Sequence, residues 1–122
     1  MADITYSTAL RVDKGLLSNS IAVNSITATM AVAGYVSNVY PLSGVTVSIS
    51  TASLSAVGMA MVQNVSASTA ATCLVSVVSG ANTIPFAAPR VGEVAVLRLA
   101  SGVSYVASGT SGARLRVDIT EG

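Results

Sequence analysis

The sequence predicts an all-β protein: an antiparallel β-sandwich or jelly-roll-like fold of eight or nine short strands, led by an extended N-terminal arm. Three observations lead there. Val and Thr, which favour strands, are abundant, whereas the long helix formers Glu, Lys, Gln and Arg are scarce. Apolar and polar residues alternate with period two in one short segment after another. Five Ser-Gly dipeptides, at 43–44, 79–80, 101–102, 108–109 and 111–112, punctuate those segments as turns.

The first segment sets Ile4, Tyr6, Leu10 and Val12 against Thr5, Ser7, Ala9 and Arg11, with Thr8 as its weak point. This is the pattern of a half-buried strand or of an arm that docks by strand pairing, so residues 1–14 read as an arm with Ile4, Tyr6, Leu10 and Val12 as its contact residues. Asp13-Lys14-Gly15 then turns the chain, and residues 15–122 form one sandwich domain. From Ile21 to Ala33 a second strand places Ile26, Ala28, Met30 and Val32 on one face and Thr27, Thr29, Ala31 and Ala33 on the other. Residues 34–44 read as mostly loop, with a short strand around Tyr35 and Val36, because they hold Asn38, Pro41 and Ser43-Gly44.

Val45, Val47 and Ile49 against Thr46, Ser48 and Ser50 give the cleanest alternation in the middle of the chain. Residues 52–63 fit either helical or strand spacing. Gly58 costs a helix about 1 kcal/mol against Ala, and the surrounding composition favours a strand. Thr72–Val78 is another strand, ended by Ser79-Gly80. Ile84-Pro85-Phe86 belongs at a sheet edge, since Pro85 has no N–H to donate to a ladder.

Towards the C-terminus, Ser101-Gly102 is spaced to close a hairpin between 93–100 and 103–108, and 109–112 a second one onto 113–120. That register sets Leu97 opposite Val106 and Val106 opposite Leu115. Leu97, Leu99, Val106, Leu115 and Val117 then face a core, while Arg98, Tyr105 and Arg116 form a row on the solvent face.

Charge is distributed unevenly. Between Gly15 and Pro89 there is no Asp, Glu, Lys, Arg or His, and only 9% of the chain is charged. An ordinary surface is about 25–35% charged, so much of this surface is neutral. Hydrophobic residues reach 52%, yet a spanning helix needs about 20 apolar residues in a row. The best stretch, Ile26–Val39, is broken by Thr27, Thr29, Ser37 and Asn38, so no membrane span is expected. A net charge of +1 without a basic cluster argues against a nucleic-acid partner. The Met-Ala-Asp start lacks the basic and apolar regions of a signal peptide, which points to synthesis in a cytoplasm.

The chain holds no His, which removes the usual general base and the commonest metal ligand. Paired-carboxylate chemistry would fall to Glu93 and Asp118, which read instead as part of a charged solvent face. No cation-loop spacing and no phosphate loop occur, so no catalytic residue, metal or cofactor is assigned. Cys73, alone in an apolar strand, reads as a small buried hydrophobe. Asn64-Val65-Ser66 matches a glycosylation sequon, and Tyr6, Tyr35, Tyr40 and Tyr105 could line a sugar site but fit packing better.

Interface cores are depleted in charge, so the neutral region reads as a surface that other subunits cover. Ile84-Pro85-Phe86, then Gly92-Glu93-Val94-Ala95-Val96-Leu97-Arg98-Leu99, Tyr105-Val106-Ala107 and Asp118-Ile119-Thr120-Glu121-Gly122, resemble the C-terminal half of small virion proteins of tailed bacteriophages, including capsid decoration (cement) proteins. The resemblance implies an oligomeric, often trimeric, β-sandwich that binds the major capsid protein on the outer capsid of the virion and braces it, with no catalytic residue. A tail, baseplate or fibre subunit is the alternative, or a carbohydrate-binding module.

Overall fold

The computed structural model describes residues 3–30 and 32–122; Met1 and Ala2 of the expected arm and Ala31 of the expected second strand lie outside the described residues. Ten strands form three antiparallel sheets. The chain divides into two compact units, residues 1–31 and 32–122.

The first unit is a hairpin. Strand β1 (Ile4–Lys14) pairs with β2 (Leu17–Ala28) across the two-residue turn Gly15-Leu16. Gly15 has φ 60°, the positive value that twist-matched hairpin turns require at this position. The expected boundary after residue 14 therefore moves to residue 31. The segment following the turn folds back onto β1, so β2 belongs to the arm.

The second unit holds β3 (Tyr35–Leu42), β4 (Val47–Ser48), β5 (Val57–Asn64), β6 (Cys73–Ser79), β7 (Asn82–Ala87), β8 (Val94–Arg98), β9 (Ser104–Gly109) and β10 (Ala113–Glu121). They form two four-stranded sheets, ordered β3-β10-β5-β8 and β4-β9-β6-β7. One core joins both sheets. Leu42, Ala60, Val62, Leu115, Val117 and Ile119 from the first sheet meet Cys73, Val75, Tyr105 and Ala107 from the second. Every second residue of each strand points inward, as a half-buried sheet demands.

Several expectations need correction. Residues 35–42 are a full strand, not mostly loop. The strand lies at a sheet edge, where Pro41 is tolerated opposite Arg114. The clean alternation at 45–50 yields only the two-residue β4, because the chain turns away on both sides: Val45 is 58% exposed, and Thr51 accepts the Leu54 N–H in the next turn. Residues 57–64 are a strand, as expected. Gly58 is there because a Cβ would collide with the backbone carbonyl of Glu121 on the neighbouring strand. Pro85 lies in the edge strand β7, opposite Ser76.

The two C-terminal hairpins do not form. β8 pairs with β5, β9 pairs with β4 and β6, and β10 pairs with β3 and β5. Both connections cross from one sheet to the other. At the first, Leu99 N–H still bonds to Gly58 in one sheet, while Ile49 N–H bonds to Tyr105 in the other. The Tyr105 hydroxyl accepts from Ala100 N–H at 2.9 Å and donates to Ala100 C=O at 3.1 Å, fastening the crossover loop. At the second, a side chain on Gly109 would meet Thr72 O, Ala113 and Leu42, so the chain passes between sheets only without one.

This inverts the inward face of β9. Tyr105 and Ala107 enter the core, and Val106 takes the opposite face. Leu115 and Val117 are in the core as expected, with Leu99 packed at its margin and Leu97 half-buried. A one-residue change in parity moves every side chain of a strand, so the expected row of Arg98, Tyr105 and Arg116 does not exist. Arg98 lies on edge strand β8 opposite Met59, Arg116 on central β10 opposite Gln63 and Val39, and Tyr105 packs edge-on to Phe86 at 6.3 Å.

Candidate assembly surfaces

The hairpin collects its apolar residues on one face. Opposed residues of an antiparallel pair share a face, so Ile4, Tyr6, Leu10 and Val12 of β1 stand with Ala28, Ile26, Ile21 and Asn19 of β2. Thr8 and Val23 lie between them. The sequence of β2 alone breaks this pattern, because Leu17, Ile21 and Val23 are odd-numbered while Ile26 and Ala28 are even. One additional residue in β2 between the pairs Tyr6–Ile26 and Thr8–Val23 absorbs the change of parity. Ser25 there has φ 56°, unusual for a residue with a side chain, and its N–H donates to Ser7 Oγ at 3.0 Å. The bulge thus rejoins two out-of-phase apolar sets into one strip.

That strip is open. Leu10, Leu17 and Ile21 are 65%, 59% and 59% exposed, and Val23 and Val12 follow at 45% and 38%. Ile4 and Tyr6 are half-buried. The opposite face carries Thr5, Ser7, Ala9, Ser18, Ser20 and the exposed Arg11–Asp13 pair at 3.3 Å.

In the sandwich the two outer faces differ. Strand parity turns Ser48, Leu74, Ser76, Val78, Ser104, Val106 and Ser108 away from the shared core on sheet β4-β9-β6-β7, a face without a charged side chain among the described residues, with Ser76 and Val106 at its centre buried and Ser48, Leu74 and Ser104 exposed. Sheet β3-β10-β5-β8 turns Tyr35, Val39, Gln63, Val94, Arg98, Arg114, Arg116 and Asp118 outward. Its centre is a buried carboxylate. Asp118 Oδ1 accepts the Tyr35 hydroxyl at 2.8 Å, and Arg116 Nε lies 3.0 Å from Oδ2, an ion pair whose alignment falls outside hydrogen-bond geometry. Burial pushes the Asp118 carboxyl up, but hydrogen bonds from Ser37 and Tyr35 and the Arg116 charge outweigh it and hold it below the ordinary value. The same hydrogen bond to Asp118, with burial, raises the Tyr35 phenol.

A second carboxylate locks the end of β10. Glu121 accepts Ser55 N–H at 2.7 Å and Ala56 N–H at 3.0 Å, and these two bonds lower its pKa. Its own N–H donates to Gly34 C=O, where any side chain on Gly34 would strike the Glu121 side chain. Sequence reasoning missed this pair, since nothing local marks a residue near the C-terminus as a partner for positions 34 and 55–56.

The sequon has a structural use. Asn64 is fully buried; its amide donates to Pro89 C=O at 3.0 Å and approaches Ala71 C=O at 3.4 Å, while Oδ1 accepts both Ser66 N–H and Ser66 Oγ–H. Ser66 Oγ accepts Arg114 N–H at 2.8 Å. The Asn-x-Ser spacing places a hydroxyl where it satisfies the buried amide and ties two loops to β10.

The remaining candidates are dispersed. Cys73 is buried and its thiol pKa is raised by burial. Glu93 caps its own turn by accepting Arg90 N–H at 2.7 Å, and Asp118 lies on a different strand, engaged as described. Among the described residues no three His, Cys, Asp or Glu side chains cluster. Tyr40 bonds to Ser50 N–H and faces the core, Tyr105 is buried, Tyr35 points outward and Tyr6 belongs to the hairpin, so the tyrosines do not share a surface. Comparison with known protein families, with characterised proteins and with solved structures finds no match.

Proposed function

We propose that this chain is a structural virion subunit of a tailed bacteriophage: a capsid decoration protein that binds the major capsid protein on the outside of the shell as an oligomer and braces it by added contact area. The observation that carries this reading is the hairpin, whose apolar strip is open and whose two strands lack a third layer or neighbour of their own. A two-stranded hairpin is marginal in water by itself. In this reading the hairpin is the arm that reaches a neighbouring subunit, and the sandwich is the body displayed on the shell.

The test is location and occupancy. Electron cryo-microscopy of particles carrying this protein should show ordered copies over the head lattice, and a chain lacking residues 1–31 should leave those sites empty. The cut belongs after residue 31, since removal of 1–14 alone leaves β2 without its partner. Density confined to the tail would replace the capsid reading by the tail or fibre one. Retention on a glycan column by a monomeric form would replace both.

A further inference from the structure

We infer that strand β8 is a self-pairing edge: it takes the β8 of a second copy of this chain as its antiparallel neighbour, about a two-fold axis through Val96, so that two four-stranded sheets run on as one. The inference concerns the free protein and does not rest on the capsid reading.

Hydrogen bonds at both ends of β8 fix which of its backbone groups are spent. Leu99 N–H donates to Gly58 C=O, and Glu93 C=O accepts Asn64 N–H, in the register that sets Leu97 opposite Ala60. The odd-numbered residues of β8 therefore bond to β5, and the N–H and C=O groups of Val94, Val96 and Arg98 point away from the sheet. Because β8 ends its sheet, these groups have no backbone partner among the described residues.

The other three edges of the sandwich are guarded. The bond from Glu121 N–H to Gly34 C=O sets the phase of β3 in the same way and places Pro41 among the residues that face outward, where its donor is missing. Pro85 interrupts β7, and β4 is two residues long. Proline and shortness are devices by which native edges refuse a further strand. β8, Val-Ala-Val-Leu-Arg, has no proline and no bulge against β5.

The unguarded edge fits its own copy. Val94, Val96 and Arg98 are symmetric about Val96, so a two-fold axis there makes three hydrogen-bonded residue pairs: Val94 with Arg98, Val96 with Val96, and Arg98 with Val94. Any other register that keeps the sheet faces matched retains at most two of the three. Each Arg98 lies opposite a Val94, and the two arginines stay four residues apart, about 13 Å along the strands. On the inner face each Leu97 stands opposite the other copy's Ala95. Ala95 borders an open concavity of about 480 Å³ that Ala87, Ala88 and Pro89 also line, so the larger side chain meets the smaller one beside free space.

Sedimentation of the full chain over a concentration series tests this, with engineered cysteines to fix the register; native Cys73 is buried and stays silent. A monomer–dimer equilibrium is expected. Paired Cα atoms at the axis lie about 5.5 Å apart, within disulfide reach. Val96→Cys should therefore cross-link to a dimer under mild oxidation, whereas Val94→Cys, at a position 53% exposed, should not. Val96→Pro removes the two bonds donated at the axis, leaves the ladder to β5 intact, and should raise the dimer dissociation constant about tenfold or more. Val96→Lys, which keeps every backbone group and opposes two like charges, should weaken the dimer as well. A chain that stays monomeric at every concentration overturns the inference, as does a Val94→Cys cross-link, a trimer, or a dimer indifferent to both Val96→Pro and Val96→Lys.

Discussion

The hairpin and the sandwich use the same side chains to opposite ends. Both alternate aliphatic with hydroxyl residues, and both turn on glycine. In the sandwich the alternation faces a second sheet, and Leu42, Leu115 and Ile119 disappear from solvent. In the hairpin it faces nothing within its own unit, and Leu10, Leu17 and Ile21 stay more than half exposed. Composition and periodicity therefore do not distinguish a core strand from an exposed one; the number of layers does.

Matched substitutions put the greatest strain on this comparison. Leu115→Ala, at a fully buried site, should cost about 3–5 kcal/mol in chemical denaturation, whereas Leu10→Ala should change stability by no more than about 0.5 kcal/mol at low concentration. A cost above about 2 kcal/mol for Leu10→Ala would show the strip to be a packed core position in the free monomer. Next in size is Asn64→Ala. It strands Pro89 C=O and the Ser66 donors, each worth about 1–3 kcal/mol when left buried without a partner. Ser66→Ala should reproduce part of that loss, and a negligible effect of both would remove Asn64 as the tie between the loops.

The acid limb of stability should belong to the sandwich. Asp118 and Glu121 are held below their ordinary values of 3.8 and 4.5, so folding favours their charged forms. The stability they add is present above about pH 4.5 and is lost as pH falls through the lower folded values. Glu121→Gln should flatten the decline measured by thermal melts between neutral and acid pH. An unchanged slope would mean that the Ser55 and Ala56 bonds do not favour the charged carboxylate. The smallest effect is at the bulge. Ser25→Gly relieves a left-handed conformation that disfavours ordinary residues by about 1–2 kcal/mol, partly offset by the freedom of glycine when unfolded. Amide exchange in β1 and β2 should slow slightly, and faster exchange would show that the Ser25 conformation is not strained.

These contrasts also explain what the sequence discloses. Strand type was legible at β1, β6 and β7, where period-two spacing or Pro85 acts locally. Sheet membership was not. Ser101-Gly102 has the length of a hairpin turn, and only the distant partners Gly58 and Ile49 send its two flanks into different sheets. Once that turn is misassigned, the faces of Tyr105 and Val106 exchange, and the expected Arg98, Tyr105 and Arg116 surface goes with them. The apolar residues Ile4, Tyr6, Leu10 and Val12 could be read directly. Their extension across β2 could not, because the bulge at Ser25 hides it from any fixed period.

Chain order adds one more consequence. Within the sandwich only β6 and β7 are both consecutive and hydrogen-bonded; every other pair must wait for a strand made earlier or later. Sandwiches dominated by such distant pairings fold in roughly milliseconds to seconds, whereas a hairpin closes in about 1–10 μs. The hairpin also precedes the sandwich in chain order. Its apolar strip is thus synthesised, and can close, before the strands of the body exist to pair with one another.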